Sequence, residues 1–489
     1  MPYLAELEKD GIPTVLIDLK EETTKVRHDA TVYGVPELRV IEASRTLAGP
    51  ADVDNWIEPL VQSLTKPLTA KEKKSGTWAP EQPRILFEGG LEDAEKFYQQ
   101  TENIPGILNA PFSMYTDGLP VVIPTEERVK EMLAGTSHSP DEVIALQRDM
   151  RPTAREGALG VGNPSMPEFY RKKGDVVRFM PMSRTATVEQ VAVNAVMAGC
   201  KPEYFPVVLA IAESGGGTGD GRGGGGSFVV SGPIVEELGI NVSYGRGSIG
   251  NPPNKTIGRV GALLWRNLGG YKETVSTIMT YGGGGAALLH GEYAKGLPPG
   301  WKGLNEELGF KKSESIIMGG GGGPGGGGGG QFWMPGVYRA FQKSGHGAIA
   351  RWLNVKGIPG PHNFLDYFLD GMWATREGGV TMVMIPSMAK DLWDVGFKTK
   401  DSVYEYIYKK SFEPVKKYRM RGGPDFFTNG WMGIERTSGK HWKELSDDYM
   451  VPVCPDPWSN CIILAHGEET VLDRSGGGHG AGWSIDAWR

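Results

Sequence analysis

Short apolar runs bounded by turn residues alternate along the chain with segments whose apolar positions recur at helical spacing. The run "GIPTVLIDL" (11–19) follows a turn and is rich in β-forming residues, which predicts a strand. "EETTKVRHDATVYG" has helical composition and stops at Gly34, a fit for a C-cap. "ELRVIEA" (37–43) reads as a second strand, and 51–65 as a helix with Trp56, Leu60, Val61 and Leu64 on one face. Strand–helix–strand–helix spacing predicts a parallel α/β unit. The polar stretch "KPLTAKEKKSGTWAPEQPR" (66–84) reads as a linker.

Beyond it the alternation continues. "LEDAEKFYQQ" predicts a short helix, and Thr125 with the acids after it caps a helix that Gly135 stops. Thr187 and Glu189 open the best helix of the chain; Val188, Val191, Ala192, Ala195 and Val196 form its apolar stripe and Gly199 ends it. Strands are expected in "SFVVSG", "ESIIM", "GVTMVMIP", "DYMVPV" and "NCIILAH", and helices in "PIVEELGI", "NKTIGRVGALLWRNLGG" and "KDSVYEYIYKKSFEPVKKY". The fold class is therefore α/β: a small N-terminal parallel α/β unit (1–65), a linker (66–84) and a larger α/β domain (85–489).

Composition changes this picture in one respect. Net charge is −6 with basic residues scattered, which argues against a nucleic-acid surface. The acidic N-terminus does not resemble a signal peptide, and no apolar stretch is long enough to span a membrane. Three cysteines (Cys200, Cys454, Cys461) make no disulfide framework and suit a reducing cytoplasm. Glycine, at 72 residues, is the anomaly, and its excess sits in runs at 215–217, 223–226, 282–285, 319–323, 325–330 and 476–478. No run is followed by the Lys-Ser/Thr of a phosphate loop. A flexible linker fits poorly between good strands and helices. The third reading is that these glycines stand where side chains have not been identified.

Few residues carry chemistry. Cys200 follows a helix end with Lys201 beside it; a nearby cation can activate a thiol, although the dipole of a helix C-terminus opposes a thiolate. A small buried residue at a tight turn is the competing reading. Cys454 and Cys461 are spaced too widely for a metal pair and read as structural. His466 stands at a strand end ahead of Glu468 and Glu469, suited to general acid–base work. His290 and Glu292 share one face if their segment is a strand. His362 reads as a loop residue, and His479 as part of a mobile tail or of a loop of backbone donors. The loop 244–259 projects Arg246, Asn251 and Asn254 ahead of a helix N-terminus, an arrangement suited to a carboxylate or phosphate, with a merely irregular loop as the competing reading. No metal site is expected, and no cofactor is indicated.

Several of these segments, "GIPTVLIDL", "YGVPELRVIEA", "DGLPVVIPTEERVKEMLAGT", "TATVEQVAVNAVMAGCKPEYFPVVLA", "VVSGPIVEELGIN", "NPPNKTIGRVGALLWRNLGG" and "CIILAHGEE", together resemble two-domain bacterial proteins named for a UGSC (selenocysteine/cysteine) motif. The resemblance spans most of the chain. It implies an N-terminal thiol or selenol redox domain and a C-terminal α/β part. The motif expected ahead of "GIPTV" is missing here, so the resemblance implies either a small cysteine- or selenocysteine-containing partner subunit or the loss of that chemistry. The glycine runs fall where the family has mixed residues, which favours the third reading of them.

These readings converge on a cytoplasmic, oligomeric, thiol-linked enzyme or enzyme subunit acting on a small polar, anionic substrate. Cys200 would be the thiol, His466 the proton carrier, and Arg246, Asn251 and Asn254 the binding groups. The alternative is a non-catalytic structural or assembly subunit, for which the 13 Trp and 17 Tyr could supply interface anchors. A nucleotide-dependent enzyme using the glycine loops is a third possibility.

Overall fold

The two N-terminal apolar runs pair in parallel. The computed structural model of the protein describes residues 2–20, 23–43, 50–76, 83–103, 111–149, 172–179, 182, 184–215, 228–243, 250–271, 289–319, 338–342, 365–366, 380–419, 433–452, 454, 456–466, 471–476 and 479–489. In it β1 (Val15–Leu19) lies beside β2 (Arg39–Ala43), in register from Val15↔Arg39 to Leu19↔Ala43. Helix Thr23–Val32 connects them and gives way to Gly34 at a φ of +81°, the left-handed turn that only glycine adopts without strain. Helix Pro50–Thr65 follows, with Trp56 and Leu60 half-buried while Val61 and Leu64 stay exposed.

The stretch read as a linker (66–84) holds a helix in its described part. Helix Ala70–Gly76 forms within it, and Glu72 receives Nε and Nη2 of Arg39 at 2.7 and 3.1 Å. The same guanidinium reaches the carbonyls of Lys66 and Pro67 at 2.9 and 3.1 Å. Its bonds to Glu72 hold that carboxyl down at about 2. One arginine on β2 thus fastens a polar segment that carries little apolar patterning of its own.

Downstream, β3 (Thr101–Asn103) pairs antiparallel with β4 (Pro111–Ser113). Two four-stranded sheets then make up the body. The first has the order β14–β7–β5–β6, from β5 (Phe228–Ser231), β6 (Leu289–Gly291), β7 (Ile316–Gly319) and β14 (Ala481–Ser484). The second has the order β12–β9–β13–β8, from β8 (Tyr338–Gln342), β9 (Val380–Met384), β12 (Cys461–Leu464) and β13 (Val471–Gly476). Between these in the chain, β10 (Phe412–Pro414) pairs antiparallel with β11 (Met450–Pro452). Each large sheet is mixed: β5/β6 and β12/β9 run parallel, while β5/β7, β7/β14, β9/β13 and β13/β8 run antiparallel. The fold is α/β with open sheets, and no closed barrel is present among the described residues.

β5, β7 and β12 are buried along their whole length, as continuous apolar runs require. Helices Val188–Ala198, Phe205–Glu213 and Pro252–Asn267 share a core with the first sheet. Helices Pro386–Asp394 and Lys400–Lys410 do so with the second. A smaller cluster joins the two: Val229 and Met318 from the first sheet meet Cys461 and Ile463 from the second, with Leu304 between. The Tyr293 amide donates to the Leu464 carbonyl at 2.9 Å across this junction. β14 then carries the chain back to the first sheet, where the Trp488 indole donates to the buried Glu213 carboxylate at 2.7 Å. No described helix is long and apolar enough to cross a membrane. Of the glycine runs, only Gly215, Gly319 and Gly476 fall within the described residues.

Candidate functional site

At the junction of the two sheets five segments bring together a set of ionisable side chains. Thr399 caps helix Lys400–Lys410 by accepting the Ser402 amide at 3.2 Å, and so fixes where that helix begins. Lys400 and Tyr404, four residues apart, then lie on one helix face. Glu292 follows β6, Glu307 ends helix Leu304–Glu307, Cys461 opens β12, and His479 precedes β14. The side chains of Lys400, Glu292, Glu307 and His479 are at most 3% exposed, and Cys461 is fully buried.

A cation at a helix N-terminus opposes the dipole, and a buried one must be paired. Lys400 is paired fully. Its three N–H groups meet Glu307 Oε2 at 2.8 Å, the Ile462 carbonyl at 3.0 Å and Glu292 Oε1 at 3.4 Å. Burial alone would pull the ammonium's pKa down, but the Glu307 and Glu292 charges outweigh it and leave it raised. Glu292 Oε2 also accepts the Ser231 hydroxyl at 2.7 Å and the Leu304 amide at 2.8 Å. Glu307 Oε1 accepts the Tyr404 hydroxyl at 3.0 Å, and that oxygen in turn accepts the Ile462 amide at 3.0 Å. Burial pushes the Glu307 carboxyl upward; the Lys400 charge and the His479 ring more than reverse this, so it lies below its ordinary value.

His479 is held by its neighbours on three sides. Its ring stacks on Trp458 at 3.6 Å with 4° between the planes, and Tyr404 meets it edge-on at 5.4 Å. Nδ1 lies 3.1 Å from the Trp458 carbonyl. A carbonyl can only accept, so Nδ1 carries a proton and the neutral ring has its lone pair on Nε2. Nε2 is 3.7 Å from Glu307 Oε2, beside the Cys461 thiol, and makes no closed hydrogen bond to a described group. Burial pulls the imidazole's pKa down, but its interactions with the Cys461 sulfur and the Glu307 carboxylate lift it to about 10. A buried base with a free nitrogen next to a thiol can take the thiol's proton and then stabilise the thiolate as an imidazolium.

The residues singled out from the sequence lie elsewhere. Cys200 closes helix Val188–Ala198 after Gly199, its amide bonded to the Ala195 carbonyl at 3.0 Å. Burial pushes its thiol up to about 12 against a small opposing effect of Thr256. The neighbouring Lys201 turns to Glu203, 3.8 Å away. Nothing here favours a thiolate at Cys200. Cys454 is likewise pushed up to about 11 by burial. Asn251 caps helix Pro252–Asn267 through the Asn254 amide (3.2 Å) and donates to the Gly239 carbonyl (3.2 Å). Asn254 accepts the Asn241 amide at 2.8 Å and donates to the carbonyls of Asn241 (3.2 Å) and Leu289 (2.9 Å). Both side chains are occupied by backbone. Arg246, His362, Glu468 and Glu469 lie outside the described residues. His466 is exposed beyond β12, its Nδ1 2.9 Å from the Ser243 hydroxyl.

Of the residues that form the buried site, the sequence drew attention to Glu292 for its alternation with His290, treated Cys461 as structural, and placed His479 in a tail. Lys400, Tyr404 and Glu307 carried no local signal beyond helical periodicity. No three described histidine, cysteine or acidic residues are arranged to hold a metal ion. Comparison with protein-family models, with curated proteins and with solved structures finds no match to the chain.

Proposed function

We propose that the protein is a thiol-linked enzyme in which Cys461 is the nucleophile and His479 its general base, acting on a small polar substrate. The observation that carries this reading is the buried Nε2 of His479 beside the Cys461 thiol, with Nδ1 already committed to the Trp458 carbonyl. The thiol passes its proton to Nε2, and the sulfur lone pair is then available to an electrophilic atom of the substrate. The stack on Trp458 fixes the ring, so little reorganisation is needed. The resemblance to UGSC-type proteins belongs to the same proposal, since it too implies thiol chemistry. So do cytoplasmic residence, an oligomeric state, an anionic substrate group and a small cysteine- or selenocysteine-containing partner subunit.

The test is competitive alkylation of the folded chain with iodoacetamide near neutral pH, with peptide mass spectrometry reading all three cysteines. Cys461 is expected to react faster than Cys200 and Cys454, and His479→Ala to slow it by about tenfold or more. If Cys461 reacts only once denaturant is added, the reading fails.

One observation favours the second class, a structural or assembly subunit: every charged member of the cluster is buried, and two cations face two carboxylates. A neutral buried network of that kind can serve to fix how two sheets meet. Denaturant-dependent labelling of Cys461 would decide for it.

A further inference from the structure

The segments that leave β6 and β12 at their carboxyl ends come together at the molecular surface. Cys461 opens β12, and His466 lies beyond its other end, about 16 Å of extended chain further on. There the His466 amide donates to the Val242 carbonyl at 2.7 Å, and the Tyr293 ring makes a T-shaped contact with the imidazole at 4.8 Å. Gly291 on β6 permits this approach. A Cβ on it would stand 2.6 Å from Val242 Cγ1 and 3.1 Å from Ile240 Cγ2, so a side chain there would push the segment away.

The same segment brings the Ser243 hydroxyl to 2.9 Å from His466 Nδ1. Ser243 is held through its amide, which donates to Asn241 Oδ1 at 2.8 Å. Asn241 is fixed in turn by Asn254, which bonds its amide at 2.8 Å and its carbonyl at 3.2 Å. A hydroxyl within reach of an imidazole nitrogen, each placed by a further group, is the arrangement that activates a serine. Ser243 is half-buried and His466 exposed, so substrate and water reach the pair. Its position outside the carboxyl ends of two strands is where open α/β sheets bind ligands.

We propose that Ser243 and His466 form a further catalytic pair, a serine nucleophile and its general base, that hydrolyses a small carboxylic ester. In the Nε2–H tautomer Nδ1 carries the lone pair and accepts the Ser243 hydroxyl. As Oγ bonds to the carbonyl carbon, its proton passes to Nδ1. The bond from that carbon to the leaving oxygen then breaks, and the imidazolium gives the proton to the departing alcohol. Water repeats the sequence on the acyl-serine: it yields a proton to Nδ1 and bonds to the acyl carbon, the Oγ–carbon bond breaks, and Ser243 regains its hydrogen. Ester and water become acid and alcohol.

The experiment treats the full chain with a fluorophosphonate, which phosphonylates activated serines, and locates the adduct by peptide mass spectrometry. The adduct is expected on Ser243. Ser243→Ala should abolish it, and His466→Gln should slow it by about a hundredfold or more, with a thermal melt on each variant to establish folding. Hydrolysis of p-nitrophenyl acetate should fall in both variants; a rate that survives Ser243→Ala would come from the exposed imidazole alone and would overturn the nucleophile's role. No adduct on Ser243, or one that forms equally fast in His466→Gln, would overturn the pair. Should a variant not fold, the unmodified protein decides: Ser243 must be labelled in the native chain and not in urea, and equal labelling in both would refute activation by the fold. Iodoacetamide reads Cys461 separately, so failure of the thiol reading and failure of this one are distinct results.

Discussion

Asn254 shows how surroundings decide a residue's role. Three backbone groups, the amide and carbonyl of Asn241 and the carbonyl of Leu289, depend on its side chain. Asn254→Ala would remove those bonds, at roughly 1–3 kcal/mol for each group that water does not reach. The expected loss in a urea titration is therefore about 2–4 kcal/mol; an unchanged midpoint would return Asn254 to the pool of ligand-binding candidates. The sequence shows an asparagine ahead of a helix and cannot show that 241 and 289 come within reach of it. The same holds for the thiols. Cys200 stands beside a lysine in the chain, but that lysine pairs with Glu203. Cys461 has no charged neighbour in the sequence and acquires His479, Lys400 and Glu307 only through the fold. Spacing rules detect sites built on one element, and this one draws on five.

Elements were legible where local chemistry alone specifies them. Helix Val188–Ala198 opens with a reciprocal capping box: the Thr187 hydroxyl accepts the Gln190 amide at 3.3 Å, and Gln190 Oε1 accepts the Thr187 amide at 3.0 Å. Gly199 ends it at a φ of +81°. Thr187→Ala is expected to lower stability by about 1 kcal/mol, with Thr187→Ser recovering most of it, as read by urea denaturation; equal stability of all three proteins would mean the cap contributes nothing here. The apolar runs of β5, β7, β9 and β12 were readable for a similar reason. Helix Phe205–Glu213 was not, because all nine of its residues are buried and no polar face marks a period. The single helix expected over 400–418 is instead two, since Phe412–Pro414 between them pairs with Met450–Pro452. Proline has no amide to continue the helical ladder, and a partner strand far along the chain takes the segment up. β14 was missed because a short Gly-Trp-Ser strand has no alternation to read; its place beside β7 is set by tertiary packing.

Across the whole molecule, the second large sheet comes from a stretch of chain inserted between β7 and β14 of the first, and the charged cluster sits where the two meet. Its protonation should therefore be felt as global stability. His479 has its pKa raised from 6.5 to about 10 on folding, so the folded state binds its proton more tightly than the unfolded state. That contribution is complete below pH 6.5 and is lost as pH rises towards 10. Glu307 has the opposite sign: lowered from 4.5, it contributes above that pH and loses its contribution as the medium becomes more acid. Stability is expected to be highest between these limits and to fall through the alkaline window by on the order of a few kcal/mol. Urea titrations from pH 5 to pH 10 would measure it, with His479→Phe as the comparison because a phenyl ring can keep the stack on Trp458. In that variant the alkaline slope should largely vanish. A slope that persists unchanged would assign it to other groups and leave His479 uncharged in the folded state. On the thiol reading the proton that ties the sheets together is the one Cys461 gives up, so a pH that strips it from His479 should dissolve the imidazolium–thiolate pair and loosen the junction together.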